Sequence, residues 1–277
     1  MSEERTIIDP VTLSEMMGQD FPPTPQQAAV IGAPMEPMLV VAGAGAGKTA
    51  TMAARVVWLV ANGFIRPEEV LGLTFIRKAA RELGVRIRQQ LNALASSAAF
   101  RAQASPEVLA SLEVIAPTTL TYDAYASEVV SNYGLLLPTE PGVTIMDGAT
   151  QWQLAWETAR NVTEIDVDIA PSTLASRIIE LGSNIDSNLS TPQAIREETE
   201  AFISNIEQTP QKGKREGLIG DLQGIVDKQR ERLEILPLVE QVRARCNEEN
   251  VATFGMQMAR AARLATDFAE VGEEERR

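Results

Sequence analysis

The sequence predicts an α/β fold with a parallel sheet in its first half, followed by an all-helical second half. Between residues 21 and 148, short apolar runs alternate three times with helix-like segments, which is typical of βαβ units. After Gly148 strand-like runs become scarce, and apolar residues recur at helical spacing. The chain has 277 residues, 44% of them hydrophobic, which is enough for a sizeable core without disulfides or structural metals.

An acidic leader occupies residues 1–20 and contains no apolar run long enough for a signal peptide. The chain nowhere offers about eighteen consecutive apolar residues, which excludes a membrane-spanning helix. We therefore expect a cytoplasmic protein that has no membrane partner. The prolines in residues 21–25 then predict an extended entry into a short helix over residues 26–32.

Strand and helix alternate through the rest of the first half. The run at residues 38–42 is continuously apolar, which predicts a strand buried on both faces of a parallel sheet. The predicted elements, in order, are a strand at 38–42, a helix at 48–61, a strand at 70–75, a helix at 77–94, strand candidates at Val114 and Ile115 and at 118–120, and a helix at 124–130.

The second half is predicted to be helical throughout. Thr191 followed by Pro192 is typical of a helix N-cap with proline at the first helical position. An apolar stripe from Leu218 to Leu236 predicts a further helix that ends at Pro237. These observations divide the chain into a leader at 1–20, an α/β domain at 21–148 and a helical domain at 149–277.

The composition excludes several kinds of catalytic and metal site. The chain has no histidine, so a Ser-His-Asp triad and a Cys/His zinc cluster are absent, and the single Cys246 has no internal disulfide partner. The net charge of −13 argues against indiscriminate binding to nucleic acid. Basic residues nevertheless cluster between positions 77 and 101 around the lone acid Glu82: Arg77, Lys78, Arg81, Arg86, Arg88 and Arg101.

A phosphate-binding loop follows the first predicted strand. The motif consists of Ala42, Gly43, Ala44, Gly45, Ala46, Gly47, Lys48 and Thr49, with alanine where the strict pattern begins with glycine. The glycines let backbone N–H groups turn inward around an anion, at the positive end of the following helix. Lys48 is expected to reach the β- and γ-phosphates, and Thr49 to bind Mg²⁺. The alternative, a flexible Gly/Ala linker, does not explain why the motif lies between a strand and a helix.

The order of residues 24–30, an apolar strand and this loop resembles the opening of the UvrD/Rep/PcrA helicases of superfamily 1. The resemblance implies a RecA-like parallel sheet, incomplete in this chain, with an inserted or appended helical subdomain of the type called 1B. It also implies that a glutamine before the loop binds adenine, which favours ATP over GTP. Gln26 matches this position by its spacing to Ala29 and Val30, and Gln27 is the alternative.

Two further segments resemble the family's DNA-contact motifs Ia and Ib. Residues 74–80 are similar to motif Ia, and Thr121 and Tyr122 to motif Ib, although Asp123 stands where the family has histidine. The alternative for these segments is a core phenylalanine and a solvated helix face. The resemblance, with stacking aromatics beside basic residues, implies that single-stranded DNA contacts Thr74, Phe75, Arg77, Lys78, Arg81, Thr121 and Tyr122.

The family's next element is an apolar strand that ends in paired acids, and no such strand follows the loop in this sequence. We therefore expect a chain that ends before this motif, binds ATP weakly and hydrolyses it negligibly. The parent protein is expected to be an ATP-dependent 3′-to-5′ helicase or translocase that acts on single-stranded DNA or a single-strand/duplex junction in repair or recombination. The alanine-rich loop and insert are similar to actinobacterial helicase-nuclease subunits of the AdnB type, which implies a partner subunit. Alternatives are a non-hydrolysing nucleotide-binding module or another phosphate-loop NTPase.

Overall fold

The computed structural model describes residues 7–114, 117–137, 142–162, 169–209 and 220–275. The chain packs into two compact units, unit 1 from Met1 to Tyr125 and unit 2 from Ala126 to Arg277. The helices and strands of unit 1 are, in order, α1 (Pro10–Met16), α2 (Pro25–Ile31), α3 (Lys48–Ala61), β1 (Leu71–Thr74), α4 (Arg77–Ser96), α5 (Ala98–Arg101), α6 (Pro106–Val114) and β2 (Thr118–Thr121).

A two-stranded parallel sheet places the two predicted DNA-contact motifs side by side. Strands β1 and β2 pair with Leu71 opposite Thr118 and Thr74 opposite Thr121. Helix α4 packs against this pair at a close approach, because a Cβ on Gly84 would lie 2.4 Å from the hydroxyl oxygen of Thr119. The predicted second strand, its helix and the strand at residues 118–120 are confirmed.

The hydrophobic core of unit 1 includes the leader. Leu13 of α1 is buried, and the backbone of Ile8 is held by the Asn62 side chain, whose oxygen lies 2.7 Å from the Ile8 N–H. The indole of Trp58 donates to the carbonyl of Ile8 at 2.6 Å. Other buried members of this core come from α3, α4 and α5: Val57, Val60, Ile87, Leu91, Leu94 and Phe100.

The prediction of a buried strand at residues 38–42 is wrong for this chain. The segment has no strand geometry, and Leu39 and Val41 are 89% and 87% exposed. Among the described residues, β1 and β2 pair only with each other, so no neighbour takes up the backbone groups of the segment. An apolar run becomes a buried strand only when flanking strands bond it and helices cover its faces. The described residues of unit 1 thus form one parallel strand pair, and the RecA-like sheet that the resemblance implies stays a prediction.

A second correction concerns the strand candidate at Val114 and Ile115. Val114 is the last residue of helix α6, and Ile115 lies outside the described residues. The segment that begins at Pro106 follows Ser105, whose hydroxyl accepts the Val108 N–H at 3.4 Å, so a helix starts there and runs through Val114.

Helix α7 (Tyr122–Tyr133) contains the boundary between the units. The later elements all belong to unit 2 and are predominantly helical, as predicted, with one short parallel strand pair. They are β3 (Thr144–Ile145), α8 (Gly148–Arg160), α9 (Pro171–Ser187), α10 (Pro192–Gln208), α11 (Gly220–Glu248), β4 (Val251–Ala252), α12 (Phe254–Asp267) and α13 (Ala269–Glu274).

Helix α11 does not end at Pro237, contrary to the sequence prediction. The proline lies inside the helix, which continues to Glu248. Leu236, Leu238 and Val239 are all buried in the core of unit 2. Burial of such side chains stabilises by about 1.5–3 kcal/mol each, which outweighs the cost of about 3 kcal/mol for proline within a helix. Among the described residues, no helix of either unit has the length and apolar character needed to cross a membrane.

Candidate nucleotide site and nucleic-acid interface

The phosphate-loop motif forms a turn that leads directly into helix α3. Gly45 and Gly47 both have φ of +78°, a left-handed conformation that strains residues with a side chain. Gly47 is the N-cap of α3, so the helix begins at Lys48 and its first free N–H groups lie at the loop. The loop therefore combines turned backbone with a helix N-terminus, which suits an anionic phosphate.

The Lys48 side chain folds back over this loop. Its ammonium group donates to the carbonyl oxygens of Ala42, at 2.9 Å, and Gly43, at 2.7 Å. These neutral carbonyls hold the positive charge beside the loop without neutralising it. A phosphate that entered the loop would meet this charge together with the helix N-terminus.

The Thr49 hydroxyl is exposed at the first turn of α3. Among the described residues, no group of three or more Cys, Asp or Glu side chains is placed to hold a metal ion. Mg²⁺ normally takes few protein ligands and completes its shell with phosphates and water. The residues present therefore fit a Mg²⁺ that arrives with a nucleotide, for which Thr49 would supply one oxygen.

The two candidate adenine glutamines have different surroundings. Gln27 forms a capping box with Thr24 at the start of α2, and its Nε2 donates to the Ala46 carbonyl at 3.2 Å. Gln26 is exposed on the same helix, and its side chain makes no hydrogen bond to another described residue. Gln27 thus contacts the phosphate loop in this structure, whereas Gln26 is free to meet a ligand.

A half-open cavity of about 430 Å³ lies beside Gln27 and the first turns of α3. Gln27 and Thr51 line it, together with Leu13 and Phe21 from the N-terminal segment. Gln90 also lines it, and its buried side-chain oxygen accepts no hydrogen bond from a described residue. The leader and Gln90 were missed by sequence reasoning, because neither belongs to a local motif and only the packing of α1 and α4 brings them here.

Arg55 of α3 fixes the end of helix α2 relative to the phosphate-loop helix. One guanidinium nitrogen lies 3.0, 3.0 and 2.9 Å from the carbonyl oxygens of Val30, Ile31 and Ala33, and the other 2.9 Å from that of Pro34. A helix C-terminus leaves its last carbonyls without intrahelical donors, and a cation there also suits the helix dipole. Arg55 therefore positions the glutamine helix, a role without a sequence signal.

The predicted DNA-contact aromatics meet at the carboxyl ends of β1 and β2. The rings of Phe75 and Tyr122 are 5.0 Å apart, and Phe75 is 89% exposed. Thr121 is buried and its hydroxyl accepts the Ala124 N–H at 3.2 Å, while the Thr74 hydroxyl donates to the Ile76 carbonyl. The two threonines thus shape the strand ends, and both members of the aromatic pair are exposed to solvent. The alternative of a buried core phenylalanine at position 75 is wrong.

The basic residues of α4 lie on its exposed face, opposite buried Leu83 and Ile87. Lys78 pairs with Glu82 at 3.8 Å, and both side chains are well exposed, so this contact is weak. An open cleft of about 530 Å³ joins this helix to the phosphate loop, lined by Thr49, Lys78, Arg81, Glu82, Val85, Arg86 and Gln89. The structure therefore brings the predicted nucleotide and DNA residues to neighbouring surfaces of unit 1.

Comparison with known proteins places these features in a family. The UvrD/REP helicase N-terminal domain matches residues 23–276. DNA helicase IV of Escherichia coli K12 is 46% identical over 74 residues, 27% of this chain and 11% of that protein. ATP-dependent DNA helicase UvrD2 of Mycobacterium tuberculosis H37Rv is 44% identical over 63 residues, 23% of this chain and 9% of that protein.

A further relative is ATP-dependent DNA helicase Rep of Buchnera aphidicola subsp. Schizaphis graminum, which is 40% identical over 58 residues, 21% of this chain and 9% of that protein. The chain thus spans only about a tenth of the length of the curated relatives that it matches. The domain match, by contrast, covers nearly the whole chain. This protein therefore belongs to the family of the UvrD/REP helicase N-terminal domain.

Proposed function

We propose that this chain is the ATP-binding N-terminal part of an ATP-dependent 3′-to-5′ DNA helicase or translocase that moves along single-stranded DNA in repair or recombination. The observation that carries the proposal is the placement of three features on unit 1: the Lys48 loop, the basic face of α4 and the exposed Phe75–Tyr122 pair. Family membership supports the same activity, because the relatives that the chain matches are DNA helicases.

ATP would bind with its phosphates in the loop and its base beside α2. Lys48 would exchange the Ala42 and Gly43 carbonyls for phosphate oxygens, and Thr49 would hold Mg²⁺. The side-chain amide of Gln26, or of Gln27 in its place, would donate one hydrogen bond to adenine through its nitrogen and accept one from adenine through its oxygen. In the parent protein, hydrolysis of the bound ATP would supply the free energy that drives movement along the strand.

Single-stranded DNA would stack its bases on Phe75 and Tyr122 and lay its phosphates along Arg77, Lys78 and Arg81. Helix α4 lines the cleft beside the phosphate loop and also carries these basic residues, so the binding of DNA and of ATP would be coupled through this helix. The 3′-to-5′ direction, a junction substrate and a partner helicase-nuclease subunit rest on the family resemblance. Strand-displacement assays on the parent protein with 3′- or 5′-tailed duplexes test the direction.

Isothermal titration with ATP and GTP tests the nucleotide part. Lys48→Ala should abolish binding of both nucleotides, and unchanged affinity would contradict the phosphate-loop assignment. Gln26→Ala should weaken the binding of ATP and leave the affinity for GTP unchanged, since the substitution removes a contact to the adenine base. Gln27→Ala should weaken the binding of both nucleotides equally, because it removes the hydrogen bond to the Ala46 carbonyl that supports the loop. The opposite pattern would move the adenine contact to Gln27.

Fluorescence anisotropy with a labelled oligothymidine at two salt concentrations tests the DNA part. Phe75→Ala and Tyr122→Ala should each weaken binding by about 1–3 kcal/mol, or roughly 5- to 150-fold. Phe21→Ala is a matched control, because Phe21 is 88% exposed but belongs to no DNA-contact motif. Affinity should fall as salt rises. Equal effects of all three variants, or binding without salt dependence, would contradict the proposed interface.

ATP turnover by the 277-residue chain should be negligible with or without DNA, since the sequence has no apolar strand ending in paired acids after the loop. A coupled ATPase assay measures this directly. Turnover near that of an intact helicase would refute the inference that these 277 residues lack the paired acids needed for hydrolysis.

A further inference from the structure

A small cavity in unit 2 has an unusual concentration of positive charge. Its volume is about 260 Å³, and its described lining consists of Leu137, Asp186, Arg243, Asn247, Met256, Ala259, Arg260 and Arg263. Among the described residues, three arginines and one aspartate line this cavity, which gives a local charge of +2 in a chain whose net charge is −13. This arginine cluster lies outside the nucleotide and DNA residues considered above.

The single carboxylate is already engaged. Arg243 donates to Asp186 at 2.6 Å, and the same nitrogen lies 3.4 Å from the Gly182 carbonyl. Both side chains are largely buried, so this ion pair is a stable part of the wall. Asp186 therefore compensates one guanidinium of the arginine cluster, and two remain.

The other two arginines find only neutral partners among the described residues. Arg263 donates to the Ser190 carbonyl at 3.0 Å, and Arg260 lies 3.5 Å from the Asn247 side-chain oxygen. The second terminal nitrogen of Arg260, Nη1, is buried and has no hydrogen-bond acceptor there. Burial lowers the pKa of Arg260, and the attraction of Asp186 does not cancel that effect. A buried cation without an anion or a full set of acceptors is costly to maintain.

We propose that the arginine cluster of Arg243, Arg260 and Arg263 is a binding site for a phosphate-type oxyanion. Guanidinium groups match the geometry of tetrahedral oxyanions because they offer paired N–H donors, and such charge-assisted bonds are strong. A dianionic phosphate balances the charge of +2 and gives Arg260 Nη1 the acceptor that the described residues lack. Since one water needs about 10–15 Å³ of such a cavity, there is room for the anion together with several waters.

The anion is either free phosphate or a phosphate group carried on a nucleic-acid strand, and titration separates the two. Both experiments use the chain with Lys48→Ala, which removes the phosphate loop as a competing site and makes the outcome independent of the proposed ATP function. Inorganic phosphate and a short oligothymidine are titrated calorimetrically, with chloride at matched ionic strength as the blank. Arginine side-chain Nε–Hε resonances report which arginines are contacted.

We expect saturable phosphate binding that shifts the Arg260 and Arg263 resonances. Adding Arg260→Met or Arg263→Met should weaken it at least tenfold, and Arg260→Lys, which keeps the charge but loses the paired donors, should weaken it less. The matched control Arg160→Met removes an exposed arginine of the same unit and should change affinity less than twofold. Saturation by phosphate alone identifies a free anion, whereas oligonucleotide binding that shifts the Arg260 and Arg263 resonances identifies a strand phosphate. Oligonucleotide bound only at Phe75 and Tyr122 should leave those arginine resonances unchanged.

Absence of saturable binding by both ligands, or binding that Arg260→Met leaves unchanged, would overturn the proposal. Circular dichroism verifies that each variant is folded. A second measurement does not depend on the ligand: in phosphate-free buffer, Arg260→Met should unfold at the same or a higher urea concentration than the Lys48→Ala parent, because it removes an uncompensated buried charge. Marked destabilisation by Arg260→Met would show that the guanidinium is a structural group and would likewise overturn the proposal.

Discussion

The three glycines of the phosphate loop respond differently to alanine substitution, and the structure sets the order. At Gly45, φ is +78° and no atom of a described residue lies within 4 Å of an added Cβ, so the cost is backbone strain. An L-residue in the left-handed region costs about 1–2 kcal/mol. Gly43 has no positive φ, and in the part of the chain that the structure describes no atom lies within 4 Å of an added Cβ. Gly43→Ala should therefore be neutral or stabilise by a few tenths of a kcal/mol, because alanine restricts the unfolded chain.

Gly47→Ala should be the most destabilising of the three. Gly47 has the same φ of +78°, and an added Cβ would lie 2.9 Å from Nε2 of Gln27. That flexible amide can move aside, but it then loses its hydrogen bond to Ala46, which is worth about 0.5–1.5 kcal/mol. We expect a total loss of about 2 kcal/mol for Gly47→Ala and about 1 kcal/mol for Gly45→Ala.

Urea unfolding followed by far-UV circular dichroism measures these differences as midpoint shifts at constant m. The Gln27→Ala background provides a double-mutant cycle, since it removes the amide that the new Cβ displaces. There, Gly47→Ala should cost only what Gly45→Ala costs. The reasoning would be refuted if Gly43→Ala cost as much as Gly47→Ala, or if the Gln27→Ala background left the Gly47→Ala cost unchanged.

Three further predictions concern stability. Arg55→Met should lower the free energy of unfolding in urea by about 2–3 kcal/mol, since carbonyls at the end of α2 lose a charged donor. Arg55→Lys should cost less, and equal costs for the two variants would contradict the role of the guanidinium. Leu13→Ala should lower the free energy of unfolding by about 2–4 kcal/mol, because Leu13 of the leader is buried in the core. An unchanged free energy of unfolding would show that α1 is dispensable for the fold. Asp147 caps α8, and the hydrogen bond that its carboxylate accepts from the Thr150 N–H lowers its pKa from the ordinary value. The ionised cap therefore stabilises the fold at neutral pH, and this contribution is lost as pH falls through the folded-state pKa. Asp147→Asn should therefore flatten the fall in melting temperature below about pH 4, and an unchanged acid profile would refute this cap.

Much of the candidate site could be predicted from local sequence. The glycine spacing of the phosphate loop requires a particular backbone, and the structure has Gly45 and Gly47 in the left-handed region with a helix beginning at Lys48. The strand β1 and the position of Phe75 directly after it were likewise predictable, because a strand signal depends on residues only a few positions apart. Parallel pairing of β1 with β2 then follows from the alternation of strand and helix.

The sequence by itself determined this protein's local structure, which includes the turned backbone of the glycine-containing loop and the position of most helices, and the family to which the chain belongs. Tertiary structure alone decided which distant side chains meet, because packing depends on partners that a local pattern does not contain. It brought Arg55 to the end of α2, Leu13 into the core, and Arg243, Arg260 and Arg263 around one cavity. For the same reason the apolar run at residues 38–42 is exposed, since a strand needs neighbours to bond its backbone as well as apolar side chains.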